Sequence, residues 1–332
     1  MKRIVLFLLA LLLLLSACGR TQSEPPTGTE ITMEAPSVPG DGEGGKITWR
    51  VLDVNSAEGR EVKEWLAEGY RQWEDSWENP QTEFPMGQDK TIYSRDYTIT
   101  LRDNRTGQET VLMERTYFGE ATTPDEASVD EVFWKSPLFV QALDDRYFVY
   151  DWGGWEWRGD TGVYDTKNMR EIPIDWDKKY NVENDYNWGS RFSFLQICGG
   201  DLYLVDAEHG PHCGPIHLMR VDLKTLGALK DGAPLMAADA LADIPGVGDV
   251  DNMGSRFLTE DGRYYVLADQ AGLRVYDLKK KQVALELPAS EAGFEESESH
   301  WRPDYVLPRG NKAYWTDNMD GTGSFLAEIT LP

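Results

Sequence analysis

The sequence predicts an all-β fold, a β-propeller of four-stranded antiparallel blades, on two observations. Short apolar strands alternate with turns of Gly, Asn and Asp from residue 46 to residue 332. A unit also repeats: strand, Gly/Asp turn, strand ending in Asp, loop, strand ending in an acidic residue, turn and strand. Four antiparallel strands repeated along a chain are typical of propeller blades. We expect about five blades, with four and six as the alternatives.

The repeat is clearest in a duplicated hexapeptide and the strands that follow it. Residues 187–192 read Asn-Trp-Gly-Ser-Arg-Phe, and residues 252–257 read Asn-Met-Gly-Ser-Arg-Phe. A β-sandwich, or two small β-domains, would not explain this duplication followed by matching strands. The acidic residue of the third strand recurs at Asp103, Asp165, Asp222, Asp277 and Glu328.

These repeats pair an aromatic–apolar strand with a strand such as Val275-Tyr276-Asp277-Leu278-Lys279. In this they resemble the blades of YVTN-type and quinoprotein-like bacterial β-propellers. The resemblance covers residues 129–332 and implies an architecture, not an activity. Residues 46–128 match the repeat poorly. We expect this divergent N-terminal part to form a blade of two or three strands with a helix, or to donate the strand that closes the ring.

One segment of the divergent part has helical periodicity. From Gly59 to Trp77, apolar and aromatic residues recur at spacings of three and four, and Pro80 follows. This pattern predicts one N-terminal amphipathic helix near residues 59–77.

The N-terminus has the features of a secretory signal. Met1-Lys2-Arg3 precedes an unbroken apolar stretch over residues 4–15, which is shorter than the roughly 20 residues that span a bilayer as a helix. The stretch ends in Leu15-Ser16-Ala17-Cys18, which resembles the lipobox of bacterial lipoproteins. The resemblance implies that residues 1–17 are removed as a signal peptide and that Cys18 carries a diacylglyceryl group.

Residues 18–45 are predicted to be a flexible tether, because they are rich in Gly, Pro, Ser, Thr and Glu and lack apolar periodicity. About 26 such residues have a root-mean-square reach of about 25–30 Å. The tether would hold a domain of residues 46–332 off the membrane. The predicted location is therefore the cell membrane, with the protein lipid-anchored and outward-facing on the extracellular or periplasmic side.

The chain is strongly acidic, which excludes one class of partner. It has 33 Lys and Arg against 57 Asp and Glu, for a formal net charge of −24. No nucleic acid is expected as a partner, because phosphate contacts need clustered cations. The predicted partners are the membrane, through the lipid on Cys18, and a glycan or an envelope protein. No cofactor is predicted.

In a propeller, the loops after the second and fourth strands of each blade lie on one side, the top edge. Two interpretations fit the charges expected there. The cations form a ring that binds a carboxylate, phosphate or sulfate, or they pair with Asp in latches that fix blade register. We expect paired contacts rather than an open cationic mouth. The cations that begin the first strands are Lys135, Arg191, Arg256 and Arg302, and the Asp residues that end the second strands are Asp151, Asp206, Asp269 and Asp317.

Aromatic residues are concentrated in the loops of the top edge. Indole faces beside carboxylates suit sugar rings, because the C–H faces stack while the hydroxyls bond to the acids. Trp155, Trp157, Trp188 and Trp301 are therefore candidate ligand-binding residues together with the four cations. The alternative is that these Trp side chains fill gaps between blades.

The segment from residue 208 to residue 217 holds three of the four His and one thiol. His209, His212 and Cys213 are candidate ligands for zinc or copper. Their spacing matches no helical His motif and no paired Cys-x-x-Cys, and an ordinary polar loop is the alternative.

The other free thiol, that of Cys198, is not expected to bond to Cys213. Residues 192–206 read as a hairpin with its turn at Gly199-Gly200, which places the two Cys at opposite ends, some 15–20 Å apart. A disulfide needs Cα atoms within about 7 Å. We therefore expect two free thiols.

No catalytic motif of the Gly-x-Ser-x-Gly, His-Glu-x-x-His or phosphate-loop type occurs in the sequence, and no catalytic residue is assigned. The sequence favours a lipid-anchored, surface-exposed β-propeller that acts as a binding or scaffold module, with its ligand site at the channel mouth of the top edge. The alternative is a glycan-active or other hydrolytic propeller enzyme of the cell envelope. A third hypothesis is a propeller that assists the assembly of envelope proteins.

Overall fold

The computed structural model of the chain describes residues 46–95, 97–118, 133–154, 161–176, 192–206, 217–247, 255–269, 271–293 and 305–332. These ranges hold five β-sheets, one α-helix (α1, Ala57–Glu78) and a short 3₁₀-helix (Leu223–Ala228). Within them, no helix is long and apolar enough to cross a membrane. In chain order the strands are β1 (Thr48–Val51), β2 (Glu83–Met86), β3 (Lys90–Arg95), β4 (Thr98–Asp103), β5 (Glu109–Glu114), β6 (Thr116–Phe118), β7 (Phe133–Ala142), β8 (Tyr147–Gly154), β9 (Gly162–Asp165), β10 (Arg170–Ile172), β11 (Ile174–Trp176), β12 (Phe192–Cys198), β13 (Asp201–Asp206), β14 (His217–Asp222), β15 (Leu235–Asp239), β16 (Ser255–Leu258), β17 (Tyr264–Asp269), β18 (Gly272–Asp277), β19 (Gln282–Pro288), β20 (Tyr305–Arg309), β21 (Lys312–Thr316) and β22 (Leu326–Thr330).

Each sheet is built from strands that follow one another along the chain. Sheet 1 is β2 to β5, sheet 2 is β6 to β10, sheet 3 is β11 to β15, sheet 4 is β16 to β19, and sheet 5 is β20 to β22 with β1. The described pairings are antiparallel except that of β11 with β15, which is parallel. The prediction of an all-β fold built from about five antiparallel blades is confirmed.

The divergent N-terminal part does two things that the sequence left as alternatives. Strand β1 pairs with β22 at the edge of sheet 5, with Trp49 opposite Ile329, so the start of the domain is joined to its end. Residues 83–114 form a complete four-stranded sheet, not one of two or three strands. Residues 83–114 therefore form a full blade although their sequence matches the repeat poorly.

Adjacent sheets are held together by apolar side chains on both of their faces. Residues alternate between the two faces of a strand, and β17 shows the result. Tyr265 and Leu267 pack with residues of sheet 3, whereas Val266 and Ala268 pack with residues of sheet 5. Further buried clusters join sheets 1 and 2 and sheets 2 and 3. The core is thus a series of layers between sheets.

Hydrogen bonds also join the first strands of successive sheets. The Ser255 hydroxyl accepts from the backbone N–H of Val306 and donates to its carbonyl oxygen, both at 2.8 Å. The side-chain oxygen of Gln196 accepts from the backbone N–H of Leu258 at 3.3 Å. The Ser of the duplicated hexapeptide therefore has a structural use in its second copy.

Helix α1 covers the outer face of sheet 5. Ser56 caps its start, because the Ser56 hydroxyl accepts from the backbone N–H of Gly59 at 2.9 Å. Val62 and Leu66 are buried in a cluster with Tyr314 and other residues of sheet 5. The helix predicted near residues 59–77 is confirmed; it begins two residues earlier and ends one residue later than predicted.

The recurrent acid of the third strand has a local cause. Where that strand turns into the fourth, the carboxylate accepts hydrogen bonds from the backbone N–H groups of the turn. Asp165 accepts from Lys167 and Asn168 at 3.1 and 3.3 Å, and Asp222 accepts from Lys224 at 2.9 Å. This repeats the Asx-turn chemistry that Asp provides at turns, so the periodic acid marks a turn and not a ligand site.

Three of these acids also hold a cation at the bottom edge, where the second strand of each sheet begins. Each cation lies at or just before the start of that strand and reaches a carboxylate side chain that is no more than 5% exposed. In sheet 3 the two charges exchange places: the acid Asp201 begins the second strand, and Arg220 on the third strand donates to it at 2.6 Å. Cation–carboxylate latches therefore exist, but at the edge opposite to the expected one. The three pairs are Arg146–Asp165 (2.7 Å), Arg263–Asp277 (3.0 Å) and Lys312–Glu328 (2.6 Å).

Removing one latch cation should destabilise the fold. Arg263→Met leaves the Asp277 carboxylate buried without its cation, and we expect the free energy of unfolding to fall by about 3–5 kcal/mol. Arg71→Met is the control, because Arg71 pairs with Glu68 on the exposed surface of α1, and its loss should cost no more than about 0.5 kcal/mol. Chemical denaturation measures both. Equal losses would contradict a structural role for the buried pair.

The latch between Arg146 and Asp165 makes stability depend on pH. The hydrogen bond from Arg146, against the opposing effect of burial, lowers the pKa of Asp165 from 3.8 to about 2. A carboxyl with a lowered folded-state pKa contributes stability that is present above about pH 4 and is lost as the pH falls towards 2. Asp165→Asn removes this titration, so its unfolding free energy should fall less steeply between those pH values.

Urea denaturation across that pH range tests the expectation. The control is Asp231→Asn, which changes a carboxylate side chain that is 95% exposed, and it should keep the wild-type slope. A slope for Asp165→Asn as steep as that of the wild type would show that other groups cause the acid sensitivity.

Candidate functional site

The two edges of the sheets carry very different connections. Bottom-edge connections are mostly short turns, such as Gly199-Gly200, where both residues have positive φ. At the top edge, the described strands end before and begin after the longest connecting segments of the chain. Connecting segments that carry function are commonly grouped on one side of a rigid scaffold. The segments between these strand ends include residues 119–132, 155–160, 177–191, 207–216, 248–254 and 294–304, which lie outside the described residues.

Most of the residues predicted for the site belong to these connections. Two of the predicted residues, Lys135 and Arg256, lie in the described part of the chain, and both are near the top ends of strands. The others lie outside the described residues, and their roles remain predictions. They are Trp155, Trp157, Trp188, Arg191, Trp301, Arg302, His209, His212 and Cys213.

Lys135 is part of an aromatic–carboxylate cluster at the top of sheet 2. Its ammonium group lies 4.3 Å from the centre of the Trp152 ring, a cation–π contact. Glu171 accepts from the Trp152 indole N–H at 3.3 Å and from the Tyr150 hydroxyl at 2.8 Å. A Cβ on Gly162 would lie 2.3 Å from that hydroxyl, so only Gly fits there. Tyr150 and Trp152 are buried, Glu171 is exposed, and Lys135 is partly exposed at the top edge.

Sequence reasoning missed Glu171 and Tyr150 in this cluster. Both lie within strands of ordinary β alternation, so nothing in the linear pattern separates them from packing residues. The signal that could have found them is the indole N–H of Trp152, which needs a partner when it is buried.

The two copies of the hexapeptide are not structurally equivalent. Phe192 lies opposite Asp206, the last residue of its second strand, whereas Phe257 lies opposite Val266, three residues before Asp269. The copies are therefore out of register by three residues. Phe192 and Phe257 do not share a position relative to the second strand.

Arg256 instead occupies a position that is apolar in the neighbouring sheets. It lies opposite Leu267, two residues before Asp269. The corresponding partner in sheet 3 is Phe194, opposite Leu204, and in sheet 5 it is Val306, opposite Trp315. Phe194 and Val306 belong to hydrophobic clusters between sheets. Arg256 thus places a guanidinium on a face that otherwise packs apolar side chains.

The expected latch between Arg256 and Asp269 is not formed. Asp269 accepts from Arg274 at 3.1 Å and from the backbone N–H groups of Ala271 and Gly272 at 2.8 and 3.2 Å. Arg274 takes this partner because it lies on β18, directly across from Leu267. Within the described residues, Arg256 forms no ion pair, and its buried Nη1 has no hydrogen-bond partner.

The other second-strand Asp residues also serve as turn groups. Asp317 accepts from the backbone N–H groups of Ser324 and Phe325 at 3.0 and 3.1 Å. Asp151 accepts from the Thr161 hydroxyl at 3.4 Å. The Asp206 side chain lies outside the described residues. The Asp side chains that the structure describes at the top edge therefore form hydrogen bonds that close the ends of the loops.

A pair of titratable groups that the sequence did not predict lies at the top of sheet 3. The Nδ1 atom of His217 is 3.0 Å from a carboxylate oxygen of Asp239, whose other oxygen accepts from the backbone N–H of Leu241. A carboxylate on Nδ1 orients an imidazole for proton transfer or metal binding. Across the described ranges, no group of three His, Cys, Asp or Glu side chains is arranged to hold a metal ion.

Cys198 is a free, buried thiol beside the turn predicted at Gly199-Gly200. Burial raises the pKa of this thiol, which keeps it protonated and unreactive. Cys213 lies outside the described residues, so the predicted absence of a bond between the two remains a prediction.

A cavity of about 310 Å³ lies between α1 and sheet 5, lined by residues that include Glu61, Arg309 and Lys312. Its charged groups bind one another: Arg309 lies 3.3 Å from Glu61, and Lys312 pairs with Glu328. The cavity therefore joins the helix to the sheet and is not assigned as a ligand site.

Comparisons with known proteins do not assign the chain to a family. No protein-family model and no curated protein matches it. Among solved structures, it is similar to regucalcin, a calcium-binding protein of Agrobacterium tumefaciens, at 14% identity over 75% of each chain with a TM-score of 0.33. It is also similar to the N-terminal domain of Nup159, at 16% identity over 76% of this chain and 66% of that one, with a TM-score of 0.28.

A third similar structure is a prolyl endopeptidase, at 16% identity and a TM-score of 0.38. The match covers 70% of this chain but only 30% of that one. These values are too low to transfer any function. The class of the protein is instead defined by its own topology: a β-propeller of five blades whose last blade is completed by the N-terminal strand.

The unpaired guanidinium leads to a prediction about stability. Arg256→Met places an apolar side chain where sheets 3 and 5 have Phe194 and Val306, and it removes a partly buried charge that has no acid partner among the described residues. We expect the free energy of unfolding to stay unchanged or to rise by about 1 kcal/mol.

The packing control is Leu267→Ala, on the fully buried residue opposite Arg256, which should lose about 2–5 kcal/mol. Thermal and chemical denaturation measure both variants. A loss of several kcal/mol for Arg256→Met would restore the latch interpretation.

Proposed function

We propose that the protein is a lipid-anchored, surface-exposed β-propeller that acts as a binding or scaffold module, with its ligand site at the channel mouth of the top edge. The observation that carries the proposal is that the strands flanking the longest connecting segments end and begin at the top edge, in sheets fixed by buried layers and bottom-edge latches. A rigid scaffold with long loops on one side is the usual arrangement of a binding module.

The direction of β1 supports the same proposal. Thr48 lies opposite Thr330, and Thr330 lies opposite Lys312, which begins β21 at the bottom edge. The chain before Lys46 therefore joins the domain at the bottom edge. A lipid on Cys18 would then hold that edge towards the membrane and leave the top edge facing outwards.

The described part of the top edge has chemistry suited to a polar ligand. Lys135 offers a cation on an aromatic ring, and Arg256 offers a guanidinium without an acid partner. Cations at a mouth in a chain of net charge −24 create a local attraction for anions that the rest of the surface lacks. The Trp residues of the loops add the stacking surfaces that saccharides use.

A second candidate function is hydrolysis, and one observation favours it. The pair of His217 and Asp239 at the top of sheet 3 has the geometry in which a carboxylate orients a general base. Assay of the purified protein against chromogenic glycosides and esters tests this candidate, and His217→Ala should abolish any turnover that is found.

Lipid anchoring is tested at Cys18. Cys18→Ala should release the protein from the membrane fraction or leave it as an uncleaved precursor, because the acceptor thiol is gone. Cys198→Ala is the matched control, since it removes a thiol from inside the fold and should leave membrane retention unchanged. Detergent phase partitioning and intact mass measure the outcome. Normal processing and retention of Cys18→Ala would disprove the anchor.

Binding at the top edge is tested with the full-length protein on a glycan array. For any glycan that binds, Lys135→Ala should weaken the affinity, because it removes a cation of the top edge. Lys281→Ala is the control: this lysine pairs with Asp243 at an exposed position beyond the bottom end of β18. Equal effects of the two substitutions would place the site elsewhere.

A further inference from the structure

We propose that Arg256 is the anion-binding residue of the top-edge site and that the ligand presents a carboxylate to it. This inference rests on the binding function proposed above and adds the chemical class of the ligand. It starts from a guanidinium that pairs with no acid in the part of the chain that the structure describes.

The surroundings of Arg256 make the missing partner costly. The residue lies one position from the top end of β16, on the face of sheet 4 that packs against sheet 3. On that face, the residues directly across from Arg256 on the following strands are Leu267, Arg274 and Glu286. Two residues further from the top edge, Leu258 and its cross-strand partner Tyr265 are both buried. The Nη1 atom of Arg256 is buried in these surroundings without a hydrogen-bond partner, and a buried polar group is stabilised by a partner close by.

The acids of this face are already engaged. Asp269 binds Arg274 and two backbone N–H groups. Glu286 lies 3.6 Å from the same Arg274, with its side chain 66% exposed. Asp269 and Glu286, the described acids near Arg256 on this face, thus both contact Arg274, and neither pairs with Arg256. One more negative charge is required at this place.

The neighbouring sheets show that the fold itself does not need this arginine. Sheets 3 and 5 fill the equivalent position with Phe194 and Val306, which pack into the layers between sheets. A residue whose position is satisfied elsewhere by apolar packing, and whose charge pairs with no acid within the described ranges, is explained by a partner from outside the domain.

A carboxylate fits this position better than a phosphate. The fork of N–H groups on a guanidinium matches the two oxygens of a carboxylate. A carboxylate also brings one negative charge, which neutralises one arginine, whereas a phosphate dianion would bring an excess charge next to Leu258 and Leu267. Tyr265 adds a hydroxyl beside the guanidinium, and burial raises the pKa of this phenol so that it stays neutral.

The first experiment isolates the anion from any larger ligand. The melting temperature of the full-length protein is measured in sodium acetate and in sodium chloride at equal ionic strength. Acetate should raise it in the wild type and not in Arg256→Met. The control variant is Arg220→Met, whose guanidinium is half exposed at the bottom edge and paired with Asp201; it should keep the acetate effect.

Two results would overturn the inference. An acetate effect that persists in Arg256→Met would place the anion elsewhere. Stabilisation of the wild type by inorganic phosphate but not by acetate, lost in Arg256→Met, would replace the carboxylate with a phosphate. Both outcomes can be read without knowing the natural ligand.

The second experiment joins the inference to the binding function. Among glycans bound on the array, those with a carboxylate should lose about ten- to a hundredfold in affinity in Arg256→Met, and neutral ones should lose none. Unchanged binding of acidic glycans would defeat the inference and leave the binding function intact. An array without any bound glycan would count against the glycan-binding function, while the acetate comparison would still decide the role of Arg256.

Discussion

The burial of apolar side chains on both faces of each sheet is the constraint on which the rest of the structure depends. A strand such as β17, in which Tyr265 and Val266 face opposite neighbours, cannot satisfy both faces within its own sheet. Each sheet therefore needs a sheet or a helix on either side. This explains why α1 lies on the outer face of sheet 5, and why the N-terminal strand β1 completes that sheet.

The loops of the top edge follow from the same constraint. The layers fix the sheets and the latches fix the bottom ends of their strands, and connections on such a scaffold commonly carry function. Their sequences are then free to carry Trp, His and Arg at positions where the core would not accept them. The two described cations of this edge, Lys135 and Arg256, differ in one respect. Lys135 contacts an aromatic ring of its own sheet, whereas Arg256 lies on an interior face without an acid.

Much of the fold could be predicted from the sequence, because the signals concerned are local. The spacing of Val62 and Leu66 reports a helix face, and Gly199-Gly200 reports a turn that requires positive φ. The register of the hexapeptide could not be predicted. A β-bulge between Phe194 and Gln196, and the unequal lengths of the following hairpins, displace one copy relative to the other. The expected latch between Arg256 and Asp269 is absent for the same reason, since a shift in register changes which side chains meet.

Strand β1 also determines how the domain bears mechanical load. It is short, and only four residue pairs join it to β22. The chain before it leaves at the bottom edge, and the proposed ligand is held at the top edge. A pull between the two would run along the strand, so the hydrogen bonds between β1 and β22 would be loaded together in shear instead of being broken one after another. The pairing that completes the last blade would then also be the first joint to carry tension between the proposed lipid anchor and a captured ligand.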